Sequence, residues 1–381
     1  MVDWSAMSRR VACLFLLVAA APAFPQALSD TFQDTFNDVR RVVAIGDVHG
    51  DYQRLVELLR TAALIDAKNA WTGGATHLVL DGDFVDRGDH SAQVLDLLMD
   101  LEPQARKAGG WLHALIGNHE AMDLYGDLRY VTKEDFSGYA VANKGGANSK
   151  EIRDQEMRAA WDTLKRQAAS PADETAWRKQ FQDEHPLGWF EHRQAFRPDG
   201  KYGKWLRQQN AIIKIDDAVF VHGGISQKYA AATRAEINTK VREELSDFTK
   251  LAQGIVTDDD GPLWYRGMAQ LPEDDGGMAA LLPRVLATHQ ARHIVIGHTP
   301  QVAVLPRFGG KVVIIDVGLS KPFGGPPAFL LIEDGKYFVV HRGRRLDLPG
   351  DGGGVLEYLG AAAAMEPTDS RLRRAIQNRR P

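Results

Sequence analysis

Short runs of aliphatic and β-branched residues recur along this chain, and each stops at Gly, Asp, Asn or His. They occupy residues 42–45, 78–80, 112–116, 219–221, 294–296 and 312–315. Runs this short, bounded by turn-forming residues, are the pattern of buried strands. Between several of them apolar residues fall at helical spacing, as over 52–63 and 91–107. Strand alternating with helix predicts a layered α/β architecture, whose ligand-binding groups collect beyond the carboxyl ends of the strands. The polar residues that end each run are therefore the ones to read for chemistry.

Five such endings carry chemical groups. The first is Gly46-Asp47-Val48-His49-Gly50, where a carboxylate and an imidazole two residues apart on a turn can face one cation, with glycines permitting the tight backbone. The second is Gly82-Asp83-Phe84-Val85-Asp86-Arg87-Gly88, and the third is Gly117-Asn118-His119-Glu120. The fourth and fifth are Val221-His222-Gly223-Gly224 and Gly297-His298-Thr299-Pro300. A single histidine after a strand is more often hydrogen-bonded structure than a ligand, and a single Asp-Arg pair is more often a surface ion pair. Five such segments in succession, each at a strand end, favour a metal site. Mixed carboxylate and imidazole donors suit Mn, Fe or Zn better than Mg or Ca, which prefer oxygen shells.

The set resembles the calcineurin-like metallophosphoesterases, and more closely the PPP phosphatases, whose Gly-Asp-x-His-Gly, Gly-Asp-x-Val-Asp-Arg-Gly and Gly-Asn-His-Glu signatures are met in full from about Arg41 to Leu331. The resemblance implies a layered β-sandwich flanked by helices and two metal ions. Asp47 and His49 would bind the first ion, Asp83 would bridge both, and Asn118, His222 and His298 would complete the second site. Two ions ~3.5–4 Å apart can hold a bridging hydroxide for in-line attack on phosphorus. His119 would protonate the leaving oxygen, oriented by Asp86. Arg87 is the natural bidentate partner of a phosphate. Arg266, in Pro262-Leu263-Trp264-Tyr265-Arg266-Gly267, resembles a second phosphate-binding arginine, although it could equally be a snorkelling arginine on an aromatic edge. Arg129, in Gly126-Asp127-Leu128-Arg129-Tyr130-Val131, is the weaker candidate and reads as structural. With Thr299-Pro300 and Ile315-Asp316-Val317-Gly318, that last motif looks like the Shewanella-like branch, whose members dephosphorylate phosphoproteins, some preferring phosphotyrosine.

The rest of the chain bounds this reading. At 381 residues, 44% hydrophobic and 25% charged, it is an ordinary globular sequence, and a net charge of −4 provides no global attraction to nucleic acid. Arg9 and Arg10 precede an apolar run over 11–21 and then Ala21-Pro22-Ala23 and Pro25-Gln26-Ala27. These are the parts of a secretory signal over residues 1–27, with cleavage after Ala23 or Ala27, since the run falls short of the ~20 residues that span a bilayer. The expectation is a periplasmic or secreted enzyme with no stable membrane association. The single cysteine, Cys13, lies in that leader, so neither disulfides nor a cysteine nucleophile are expected in the mature chain.

A phosphoesterase domain is expected over 38–345. Within it the polar stretch of about 133–204 has no strand signal but carries Met157, Ala160, Trp161 and Leu164 at helical spacing, which predicts a helical insertion. Residues 346–381 read as a glycine-rich connector, a last helix and a solvated basic tail. Three functions compete: a phosphatase acting on phosphoproteins at Ser/Thr or Tyr, a hydrolase of diadenosine polyphosphates or other small esters, and a non-catalytic phosphate-binding protein. Retention of His119, Asp86 and Arg87 alongside every expected ligand speaks against the third.

Overall fold

The computed structural model describes residues 32–142, 146–167, 173–350 and 353–377. The expected leader, with Cys13, lies outside the described residues. Twelve strands form two six-stranded sheets among these residues. The first runs β12 (Arg344–Asp347), β11 (Lys336–His341), β10 (Ala328–Glu333), β2 (Arg41–Ile45), β3 (His77–Leu80), β4 (Trp111–Ala114). The second runs β1 (Thr35–Phe36), β5 (Ile212–Ile215), β6 (Ala218–Val221), β7 (His293–Ile296), β9 (Val312–Ile314), β8 (Leu305–Arg307).

Each expected strand is present, and the reason is burial on both faces: all four residues of β3 and of β6 are buried, as are four of five in β2. The apolar residues of both sheets belong to one core, which makes the fold a layered sandwich. In the first sheet β2, β3 and β4 are parallel, with Val43 opposite Leu78 and Leu78 opposite Leu112. Their crossovers are α1 (Tyr52–Thr61), started by the Asp51 side chain accepting from the Arg54 N–H, and α2 (Ser91–Lys107). In the second sheet β6, β7 and β9 are parallel. Parallel strands bring their carboxyl ends to one edge, and there the loops after β2, β3, β4, β6 and β7 meet.

Helix α3 (Asn118–Tyr125) starts inside the third motif, immediately after β4. Five helices then precede β5: α4 (Lys133–Ala142), α5 (Gly146–Gln167), α6 (Glu174–Glu184), α7 (Trp189–Ala195) and α8 (Lys201–Leu206). Met157 and Trp161 of α5 are buried, and Trp161 packs on Trp177 with ring centroids 5.0 Å apart. Between β6 and β7 lie α9 (Arg234–Ser246), with a Thr233/Glu236 capping box, α10 (Gly267–Gln270) and α11 (Gly276–His289). After β12 come α12 (Val355–Ala364) and α13 (Arg371–Gln377). The basic end is thus not wholly a solvated tail: Leu372 is buried, and Arg373 donates to the Glu366 carbonyl at 2.8 Å. Among the described residues no helix is long and apolar enough to cross a membrane.

Candidate metal centre

The loops that end the strands hold their functional side chains on strained backbone. His49, Asp83, Asp86, Arg87 and His298 all have positive φ, between 46° and 67°. For a non-glycine residue this costs ~1–3 kcal/mol, so it persists only where neighbouring structure dictates it. That structure is visible. The N–H groups of Val48 and His49 both donate to the Asp83 carbonyl, at 3.0 and 2.9 Å, locking the first two motifs together. The Glu120 carboxylate, fully buried, accepts from the N–H groups of Asp83, Phe84, Val85 and Gly117 at 2.8–3.2 Å. The Asp83 carboxylate accepts from the His119 N–H at 3.0 Å, at the positive end of α3.

Three histidines share one arrangement. His49 Nδ1 lies 3.1 Å from the Val85 carbonyl, His222 Nδ1 2.7 Å from the Asp81 carbonyl, and His298 Nε2 3.1 Å from the Trp264 carbonyl. A ring nitrogen that donates to a carbonyl carries the proton, which leaves the opposite nitrogen as a lone-pair donor. Those opposite nitrogens turn inward. His222 Nε2 is 3.2 Å from Asp83 Oδ2, 3.1 Å from Asn118 Oδ1 and 3.1 Å from His298 Nδ1. His49 Nε2 is 3.9 Å from both Asp83 Oδ2 and Asp47 Oδ2. The Asp47 carboxylate also accepts from the His298 N–H at 3.0 Å, and a Cβ on Gly297 would sit 2.5 Å from Asp47 Oδ1, so only glycine fits there.

Two donor groups result, each able to hold a metal ion: Asp83 with His222 and His298, and Asp83 with His49 and His119. Asp83 is common to both. His119 differs from the other three histidines, because its Nδ1 faces a carboxylate, Asp86 Oδ2 at 2.7 Å, instead of a carbonyl. Its Nε2, 3.8 Å from Asp83, receives the Arg87 guanidinium at 3.3–3.4 Å. A guanidinium against Nε2 repels a cation there, so His119 is set apart from the ligands.

The electrostatics follow from many carboxylates in a dry pocket. Burial and then Asp316 push Asp47 well above the usual carboxylate range. Burial alone would also raise Asp83, but His222 and His119 beside it hold it well below. Burial would lower His222, yet Asp83, Asp47 and Asp81 together raise it to about 10. Such a nest of negative charge requires a cation, whether a proton or a metal. Asp86 is pushed to about 7 by burial and by Asp123.

The remaining candidates are placed as follows. Arg266 donates to the His298 carbonyl at 2.8 Å and to Thr299 Oγ1 at 3.2 Å, so it is tied to a histidine of the centre. Arg129 pairs with Asp127 at the surface. Glu120, the clamp of the second and third motifs, was visible in the sequence only as the last letter of a motif. Asp81 and Asp316 are fully buried beside the histidine cluster, and Asp81 has neither oxygen hydrogen-bonded. Strand-end position was the one signal for Asp81, shared with many inert residues, whereas Asp316 stood in the Ile315-Asp316-Val317-Gly318 motif with no role assigned.

The profile of the calcineurin-like phosphoesterases matches residues 40–302. The Shewanella-like protein phosphatase 2 of Arabidopsis thaliana is 29% identical over 315 residues, spanning 79% of this chain and 76% of that protein. The Shewanella-like protein phosphatase 1 of Plasmodium berghei is 25% identical over 327 residues, spanning 82% and 78%. A solved structure, the cold-active protein-tyrosine phosphatase of a psychrophilic Shewanella, superposes with a TM-score of 0.63 at 30% identity over 84% of each chain.

Proposed function

The chain belongs to the calcineurin-like phosphoesterase family and is a metallophosphatase, and from that premise we propose that it removes phosphate from phosphoproteins, using two ions drawn from Mn, Fe or Zn. The observation that carries the reading is the convergence on Asp83 of three histidines, each with its other nitrogen tied to a backbone carbonyl. Asp47 and His49 would hold one ion with Asp83, and Asn118, His222 and His298 would hold the other. When bound, the ions supply Lewis-acid activation of water and neutralise phosphate charge.

The chain's own groups do the rest. Arg87 leaves His119 Nε2 to pair with phosphate oxygens, which frees that nitrogen to carry a proton. Water attacks phosphorus, the ester P–O bond breaks, and the proton on His119 Nε2 passes to the departing oxygen. Asp86 holds the ring through Nδ1 and stabilises its charged form. His119 is raised above an ordinary histidine: burial opposes this, but Asp83 and Asp86 outweigh it. A histidine raised above its ordinary value suits an acid. Arg266 orients His298 and offers its free edge to the phosphate. The leader-like first 27 residues support export.

Kinetics with added Mn on matched phosphotyrosine and phosphoserine peptides and on diadenosine tetraphosphate test the reading. Turnover of the peptides is expected. Preference for the dinucleotide would transfer the chain to the small-ester hydrolases, and no metal-dependent turnover of any substrate would make it a binding protein.

A further inference from the structure

The motif around Tyr130 has no part in the chemistry above, yet its tyrosine touches both residues that handle the phosphoryl group. The Tyr130 ring lies under the Arg87 guanidinium, 4.3 Å from centroid to Cζ, and 5.0 Å from the ring of His119. Its carbonyl accepts the Arg87 N–H at 2.9 Å, so the same residue also holds the left-handed backbone at Arg87.

Just beyond this contact the segment is fastened to the end of the second motif and to the start of α2. Thr132 Oγ1 donates to the Gly88 carbonyl at 3.2 Å, and the Ser91 N–H donates to the Asp135 carboxylate at 2.7 Å. A second ring near Arg87 is Phe323, its centroid 5.6 Å from Cζ and stacked on His49 at 5.6 Å. Phe323 sits on a tight loop closed by the Gly325 N–H donating to the Gly318 carbonyl at 2.7 Å.

We propose that Tyr130 is a positioning residue which, together with Phe323, packs an aromatic ring against the Arg87 guanidinium and aims its N–H edge at the phosphate. A planar guanidinium stacks on rings and keeps its donor edge free for bidentate contact. With the rings removed, a long side chain with many rotamers has to be ordered anew at each binding event. The ring face carries the role, so phenylalanine can replace tyrosine. The inference rests on the reading of Arg87 as the phosphate ligand.

A double-mutant cycle tests it, read as kcat/KM and as the Ki of inorganic phosphate, with Tm and metal content as controls. Tyr130→Leu should weaken phosphate binding and lower kcat/KM on the order of tenfold. In an Arg87→Ala background the same substitution should change either by less than about twofold. Tyr130→Phe should restore most of the loss. Phe323→Leu, on a separate loop with a separate folding risk, should repeat the pattern. Equal losses in both backgrounds, or no loss in either, would overturn the positioning role while leaving Arg87 as phosphate ligand. If Arg87→Ala alone leaves the phosphate Ki unchanged, the reading of Arg87 fails and the inference falls with it.

Discussion

One group of buried histidines lies within the first sheet, and another lies past the ends of strands from both sheets. His77, at the start of β3, and His113, on β4, bond to each other through Nδ1 and Nε2 at 3.0 Å beneath Phe36 and Trp111. His222 and its companions lie past the strand ends among Asp47, Asp81 and Asp83. Burial is the largest influence in both places and favours the neutral ring. In the pair nothing opposes it: burial alone lowers His77 to about 4, and burial, then His77 and Arg106, holds His113 well below the ordinary histidine value. At the strand ends carboxylates reverse it for His222, which rises to about 10. Without carboxylates nearby, burial leaves the pair neutral packing, whereas the three carboxylates around His222 make its surroundings a place for a cation.

The largest effect expected from breaking this contrast is at Asp83. Asp83→Asn removes the one carboxylate shared by both donor groups, so nearly all activity and much of the second-metal occupancy should go. In metal-free protein the His222 pKa, followed by NMR, should fall towards the behaviour of His113. An active variant retaining two metal equivalents would refute the shared role.

Next comes His119, whose carboxylate partner serves it as an acid. His119→Asn should keep metal and fold while the rate falls by ~10²–10⁴. Aryl phosphates with acidic phenols should lose least, phosphoserine most, and phosphotyrosine, whose phenol has a pKa of about 10, an intermediate amount. Equal losses for all three would remove the acid role, and loss of metal would make His119 a ligand.

Arg87→Ala should cost ~2–4 kcal/mol in kcat/KM, the worth of a preorganised donor in a dry site. A change confined to stability would make Arg87 a surface partner.

The smallest effect concerns the neutral pair. The unfolded chain takes up protons at the ordinary histidine value of 6.5, whereas folded His77 resists until about 4. The unfolded state thus binds more protons in that window, so stability falls as pH drops through it. His77→Gln, which keeps a partner for His113, should flatten the decline of Tm between these values without altering turnover at neutral pH. An unchanged slope would show that the pair contributes nothing to acid sensitivity.

The strand-end motifs, the α/β alternation and the donor types were legible in the residues alone. A strand, its turn and two or three polar residues form within one short segment, so their signature is local. It missed β10, β11 and β12, which lie beyond the last motif and pair antiparallel from β2 outward. Which donors meet is settled by folding alone. The Asp47 carboxylate reaches the N–H of His298 across 251 positions, and Asp83 reaches the N–H of His119 across 36. Folding also decided that three histidines present a lone pair while His119 faces Asp86, because which ring nitrogen is free depends on carbonyls contributed by other loops. Tyr130 and Phe323 became neighbours of Arg87 for the same reason: contacts made by loop packing between distant segments leave no periodicity to read.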